Sequence, residues 1–519
     1  MLSDLFLYQP VRKNSPLLLI ILFAVACFIG VFTIYHHEMW RDESQAFLMV
    51  RDSKNLLELW QNVRYEGHPI LWHFVLFFSY HLFPSIYTIQ VVHLFVGLLV
   101  IALIVFYAPF SFAEKTLLIF SYFFSYEYLV ISRNYSIGIF FLFLSICVYN
   151  RQKSSHRIIY TAVVLGLATN CNIYSFIIAV CLFLYYLHQT YPFNKVASYK
   201  SIIFQGAVLI FLLFIAVALL QLIAPADRTP TLEIAATLNF KRMGKILKEI
   251  SEVFFYVPDP LKKENFWGSS VFEGKYFSSA VLNNLLFYLP QLLTLIMIFF
   301  LVLMLKKSSL VLLMIATSSA GLVMFMYFIF DRGLLRHTGA FFVLLIVALW
   351  LYRCSANSPG KSAVYFNVFF RGMLVFQFVG SVMVHADEIR YPFSGAKNAA
   401  AFLIATHRNS NRIILHPDFE GMSLLHYGSI ASVFYPTIND RGSFMKFSTR
   451  RKPRSYRDIY NLALRDDIET MVFNNKRNDS IVNTFGYKLI YAPTQSSTVH
   501  DEDFWIYGKI RQVNRPIKK

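Results

Sequence analysis

Apolar side chains in this chain gather in long runs with little of the alternation of a half-buried strand or the narrow stripe of a surface helix. The runs lie at 17–35, 69–83, 86–107, 116–131, 134–149, 157–170, 172–188, 201–223, 281–305, 309–330, 339–352 and 364–384. Such all-round apolar segments predict helices that meet hydrocarbon or other helices on every face. A hydrocarbon core about 30 Å thick takes about 20 residues at a rise of about 1.5 Å each. Several of the runs hold only 14 to 17 residues, so the charges between them must decide which ones cross.

If every run crosses from a cytoplasmic N-terminus, the basic connections 151–157 and 188–200 and the pair Lys306–Lys307 fall outside, against the positive-inside rule. Laying the run 69–83 along the outer interface moves all three to the cytoplasm. Its composition suits that place, since His68, Trp72, His73, Tyr80 and His81 interrupt it and Pro69 and Pro84 bracket it. The expected topology is therefore eleven spans and one interfacial helix, with the N-terminus inside and the C-terminus outside. The first run follows Arg12 and Lys13 and is too long for a signal-peptide core, so it is expected to be retained.

Four segments then face outward: 36–68 with the interfacial helix, the short turns 132–136 and 331–337, the loop 225–280, and the tail 385–519. Within the loop, Phe240, Met243, Leu247, Ile250 and Phe254 recur at spacings of three and four with lysines between them, predicting an amphipathic helix on the membrane surface. It is read as a packed connector or as a lid over a lipid-linked substrate. The tail changes character. Short β-rich runs at 412–416, 470–473, 487–491 and 504–507 alternate with helical patterns at 395–407 and 455–465, which predicts a small α/β domain. The fold class is thus an α-helical polytopic membrane domain, 1–384, followed by an extracytoplasmic α/β domain, 385–519.

Composition agrees, with 56% hydrophobic and only 15% charged residues in 519, against about 25% charged in a soluble protein. The net charge of +18 separates by side. The N-terminus and cytoplasmic connections hold thirteen basic and two acidic residues, the tail twenty and thirteen, and the segment 36–68 four and six. That segment is net negative. All five cysteines lie in or beside apolar runs, which excludes a disulfide framework and a CxxC metal site.

Ionisable groups in or beside a membrane are costly and mark candidate sites. They are densest in His36-His37-Glu38-Met39-Trp40-Arg41-Asp42-Glu43-Ser44, just past the first run, and in Glu66-Gly67-His68-Pro69 at the entry to the interfacial helix. Adjacent carboxylates raise one another's proton affinity, which suits one of Asp42 and Glu43 to accept a proton. Within the runs Glu127 is the one acid, close enough in sequence to pair with Arg133.

The acidic pair Asp42–Glu43 after a first span and the His68–Pro69 entry to an interfacial helix resemble the GT-C superfamily of membrane glycosyltransferases. The similarity is to the bacterial branch related to protein O-mannosyltransferases and to the lipid A aminoarabinose transferase. It covers roughly residues 10–385, and Ile70 stands where that family usually has a second proline. The resemblance implies transfer of one sugar from a polyprenyl-phosphate donor to an envelope acceptor, with inversion, at the outer face of a bacterial inner membrane. It implies Asp42 as the base with Glu43 as orienting partner, or the two exchanged. Cations must hold the leaving phosphate, and arginine's planar fork suits this. Arg133, Arg332 and Arg336, with His337, occupy the outer turns and are the expected phosphate ligands; Glu66, His68 and Glu127 are expected at the substrate. Snorkelling anchors are the competing reading of the arginines.

No cofactor or nucleic-acid partner is expected; a divalent cation on Asp42, Glu66 and His68 is an alternative, not favoured because the branch does not generally require one. The rival functions are a transporter or flippase of a lipid-linked sugar, a polymerase or ligase of lipid-linked oligosaccharides, and a scaffold whose tail binds an envelope partner.

Overall fold

A computed structural model describes residues 15–152, 154, 156–192, 201–229, 239–262, 266–329, 335–355, 361–410 and 412–510. The chain is mostly helical with a small C-terminal sheet. The helices are α1 (Pro16–His36), α2 (Arg41–Asp52), α3 (Leu56–Val63), α4 (Leu71–Leu82), α5 (Thr88–Tyr107), α6 (Phe112–Ile119), α7 (Tyr135–Arg151), α8 (Arg157–Thr169), α9 (Ile173–Thr190) and α10 (Ile202–Leu222). They continue with α11 (Phe240–Phe254), α12 (Ala280–Leu305), α13 (Ser309–Phe328), α14 (Leu335–Ser355) and α15 (Lys361–Arg390).

Among the described residues eight helices, α1, α5, α9, α10, α12, α13, α14 and α15, are long and apolar enough to cross a membrane. Three of the expected spans take other forms. Runs 134–149 and 157–170 are the shorter helices α7 and α8, and run 116–131 is broken. Its chain passes from α6 through one π-helical turn, Phe123–Glu127, into non-helical backbone before α7. The broken segment nevertheless runs the length of the bundle. Glu114 at its start meets Arg353 near one end of α14 at 2.7 Å, and the carbonyl of Arg336 near the other end accepts from Tyr128 Oη at 3.2 Å. At 21 residues, α14 is about 30 Å long.

α14 is the centre of the bundle, with every residue from Arg336 to Leu351 buried. The broken segment packs against it because Gly339 leaves room: a β-carbon there would lie 2.3 Å from Tyr128 Oη. The amphipathic helix α11 is tucked among its neighbours and does not ride free on a surface. Ile246, Val253 and Phe254 are buried while Phe240 and Leu247 stay exposed, and the Gln377 side chain bonds the Val253 carbonyl. α4 buries Trp72, His73, Leu76 and Phe77.

The tail begins at the end of α15, which continues six residues past the expected boundary at 384. It adds α16 (Ala396–Ala405), β1 (Ile413–His416), α17 (Met422–Tyr427), β2 (Val433–Tyr435), β3 (Asp440–Gly442), α18 (Tyr456–Arg465), β4 (Thr470–Phe473), α19 (Asp479–Thr484), β5 (Tyr487–Tyr491) and β6 (Trp505–Lys509). The described strands form one sheet in the order β3-β2-β1-β4-β6-β5. β1 is parallel to β2 and β4, and the outer pairings are antiparallel. Alternation sets the two faces. Ile413 and Leu415 share a core with α16, α17 and, from the other end of the chain, Phe47, Leu48, Met49 and Val50 of α2. Ile414 points the other way, onto α18 and α19. The tail thus holds α2, the helix that carries the acidic pair.

Candidate functional site

α2 starts where the backbone turns sharply after α1, and that turn is held from three sides. The Trp40 amide donates to Glu43 Oε2 at 3.2 Å and the Arg41 amide to Glu502 Oε1 of the tail at 2.7 Å. Carboxylates at a helix N-terminus satisfy its free amides and its dipole. The third hold is His37, whose ring bridges Glu43 Oε2 and Glu388 Oε1, each at 2.9 Å. Burial works against the His37 charge, but Glu43 and Glu388 outweigh it and push the imidazole up to about 10.

Successive helical residues point in different directions, and the acidic pair divides accordingly. Glu43 faces the interior and also accepts the Ser132 amide at 2.5 Å, so it ties α2 to the turn bearing Arg133. Asp42 faces that arginine and Arg336. Arg133 Nη1 and Arg336 Nη2 stand 3.5 and 3.3 Å from Asp42 Oδ2, and Arg133 also donates to the Asp42 carbonyl at 2.7 Å.

The expectation that the pair would raise each other's proton affinity is therefore corrected. Burial pushes Asp42 up, yet Arg133, Arg336 and Arg41 hold it below the ordinary aspartate value. Glu43 is likewise pushed up by burial and held low by His37 and the hydrogen bonds it accepts. Two neighbouring carboxylates with separate cations do not share a proton.

The Arg336 guanidinium lies against the rings of Trp40 and Trp267, 4.9 and 5.3 Å from their centres, and the two indoles meet edge to face at 4.9 Å. Trp267 Nε1 donates to Glu127 Oε2 at 3.0 Å and Tyr122 Oη to the same oxygen at 2.5 Å. Glu127 is thus spent on Trp267 and Tyr122; the pairing with Arg133 expected from sequence does not form. His337 stacks on Tyr174, ring centres 5.6 Å apart, one side chain away from the Asp42 cluster. Arg332 lies outside the described residues.

Glu66 and His68 lie within electrostatic reach of both Arg133 and Asp42. Burial raises Glu66 to about 7 although Gln45 donates to its Oε1 at 2.8 Å. Burial, with Arg133 next, lowers His68 to about 4, so it is neutral at physiological pH. With Asp42 facing two guanidiniums and Glu66 taken by Gln45, these groups do not fit a divalent cation. Among the described residues no cluster of three or more His, Cys, Asp or Glu side chains is placed to hold a metal.

A small half-open gap of about 20 Å³ lies between α7, α9 and α14, with Arg336 in its wall. Tyr128, Tyr135, Tyr174, Asn172, Ile139, Leu142, Ile178 and Val343 are among its lining residues. Arg336 is the one charged side chain among its lining residues; the others are aromatic, aliphatic or small and polar.

Sequence reasoning missed Trp40, Gln45, Arg228, Trp267 and Glu388. Arg228 crosses Gly67, where a β-carbon would lie 2.6 Å from its Nη2. Glu388 was legible only as a continuation of run 364–384 into the polar sequence of the tail. Family models and curated proteins give no match to this sequence.

Proposed function

We propose that the chain is an inverting glycosyltransferase that moves one sugar from a polyprenyl-phosphate donor to an envelope acceptor at the outer face of a bacterial inner membrane. The observation that carries the reading is the Asp42 carboxylate between Arg133 and Arg336. Holding these charges largely out of water carries a desolvation cost, and the cluster has the parts the reaction needs.

In this reading the two arginines exchange Asp42 for the donor phosphate. Phosphate offers them more oxygens in the bidentate geometry guanidinium prefers. Asp42, losing its counter-charges, regains the proton affinity of a base. The acceptor hydroxyl attacks the anomeric carbon as its proton passes to Asp42; the carbon–oxygen bond to phosphate breaks, and the polyprenyl phosphate departs with both electrons of that bond onto the arginines. Glu43 holds the turn and takes no part in proton transfer.

The eleven-span topology with the C-terminal domain outside belongs to the same proposal. It is supported by Lys115, Arg151, Arg157 and Arg353, which lie at the ends of α5–α8 and α14 remote from Asp42, where the positive-inside rule requires cations. A flippase would need the same anion site but would return the donor intact.

The test is incubation of the chain, reconstituted in liposomes, with a polyprenyl-phosphate sugar and envelope extract, followed by mass spectrometry. Free polyprenyl phosphate and an acceptor heavier by one sugar are expected. Donor moved across the bilayer without loss of its sugar would replace the reading with transport.

A further inference from the structure

The tail carries a strongly charged segment that the site does not use. Residues 446–457 hold six basic side chains, Lys446, Arg450, Arg451, Lys452, Arg454 and Arg457, and no acidic one. Arg451 is spent inside the fold, 2.5 Å from Asp418 Oδ2 and 3.0 Å from Thr437 Oγ1. Arg450, Lys452, Arg454 and Arg457 are exposed, and among the described residues none of these four forms an ion pair. The nearest acid in sequence, Asp458, caps α18 by accepting from the Ser455 amide and hydroxyl. Like charges held together in this way repel and lower stability, so the concentration calls for a partner.

Two features of the fold say where such a partner would lie. First, the segment crosses the carboxyl ends of the parallel strands β2, β1 and β4. Asp418 follows β1, Thr437 follows β2 and accepts the Lys452 amide on its carbonyl at 2.9 Å, and Arg477, following β4, lies 3.7 Å over the ring of Tyr456. The chain leaves β1 toward β2 on one side, and β4 lies on the other. That is the switch point at which open α/β sheets bind ligands.

Second, the near end of the segment is fastened to the candidate site. Gln45 donates to the Met445 carbonyl at 2.6 Å and accepts the Met445 amide at 2.9 Å, while its amide also reaches Glu66. Thr449 donates to the Asp227 carbonyl at 2.7 Å, and Thr229 to the Phe447 carbonyl at 2.9 Å.

We propose that this strip binds an anionic glycan, the phosphate- or carboxylate-bearing portion of the acceptor, and leads it from the tail to Asp42. Calling the occupant an acceptor rests on the transfer reading; binding of an acidic glycan does not. An extended polyanion fits better than a single phosphate, because four exposed cations are spread over eight residues. Beyond Asp42, the acceptor would leave the site along a line of positive charge, which favours acidic over neutral glycans.

The experiment uses the full chain in phosphatidylcholine nanodiscs, with dextran sulfate and neutral dextran of equal length as probes. Dextran sulfate should bind, lose affinity as salt shortens the screening length from about 8 Å at 0.15 M, and outcompete dextran. The combined variant Arg450→Gln, Lys452→Gln, Arg454→Gln and Arg457→Gln should bind about tenfold more weakly with an unchanged melting temperature. A matched variant, Arg390→Gln, Lys397→Gln, Arg412→Gln and Lys488→Gln, removes equal charge elsewhere and should change affinity less than about twofold.

Equal loss in both variants, no preference over dextran, or binding to phosphatidylglycerol vesicles in place of dextran sulfate would overturn the proposal. Because binding is read without turnover, its failure is separable from failure of the transfer assay.

Discussion

At the scale of single residues, Asp42 and Glu43 are neighbours in sequence with unlike environments. Asp42 is 14% exposed beside two arginines and Glu43 is fully buried against His37, so equivalent substitutions should have different consequences. Asp42→Asn removes the proposed base without changing volume and should lower transfer by about a hundredfold or more, with little change in melting temperature. Glu43→Gln leaves His37 with one carboxylate in place of two and breaks a buried charge network, a change of roughly 3–5 kcal/mol in stability. Thermal unfolding and turnover, measured on both, would interchange the roles if Asp42→Asn unfolded the chain and Glu43→Gln left it folded but inactive.

Glu66 makes a separate prediction about pH. An ordinary glutamate ionises near pH 4.3, and in the fold burial raises Glu66 to about 7. The stability tied to its proton is complete below the lower value and is lost as pH rises through about 7. Glu66→Gln keeps the Gln45 hydrogen bond and removes that loss. The variant should melt with the parent at pH 5 and about 1–2 °C above it at pH 8. A difference independent of pH would mean that Glu66 is ionised throughout.

At the scale of elements, the least regular piece of the bundle is the one that builds the site. A continuous helix over 116–131 would carry its carboxylate and amides in helical register. The π turn Phe123–Glu127 and the open backbone after it place Glu127 under Trp267, leave the Ser132 amide free for Glu43, and bring Arg133 to Asp42. Irregular backbone inside a bundle persists only where protein satisfies it. Here a side-chain carboxylate does so.

The packing that holds this segment depends on Gly339. A β-carbon there would meet Tyr128 Oη and the ring of Phe123 at 2.3 and 2.5 Å. Gly339→Val should cost about 1–3 kcal/mol through overpacking, read as a lower melting temperature of the purified protein. An unchanged melting temperature would mean that the segment can move away from α14 without loss.

At the scale of the molecule, the two ends of the bundle hold separate charge networks. Glu114 gathers Arg353 and Arg371 at one end, at 2.7 and 3.2 Å, while the acidic cluster around Asp42 and the tail occupy the other. If the basic end is cytoplasmic, Ser154→Cys in an otherwise cysteine-free chain should react with an impermeant maleimide only after the inner face is exposed, and Ser480→Cys on α19 should react from outside. Labelling of Ser154→Cys from outside would invert the topology and remove the argument for the interfacial helix.

Hydrophobic pattern alone determined the helical membrane part and the position of most helices, because burial in lipid is written residue by residue in composition. It also placed four strands and two helices of the tail, where alternation and turn residues are local signals. The density of charge after the first run pointed to Asp42 for the same local reason, and the short outer turn between two runs to Arg133.

What only the tertiary structure decided is which charges meet. The break in 116–131 arises from packing against Gly339 and from the Glu43 carboxylate, both far away in sequence. The pairing of Arg336 with Asp42 across 294 positions, the capping of α2 by Glu502, and the crossing of three strand ends by residues 446–457 are long-range contacts. No window of sequence contains both partners of any of them, and the proton affinities of Asp42, Glu43 and Glu66 follow from those contacts.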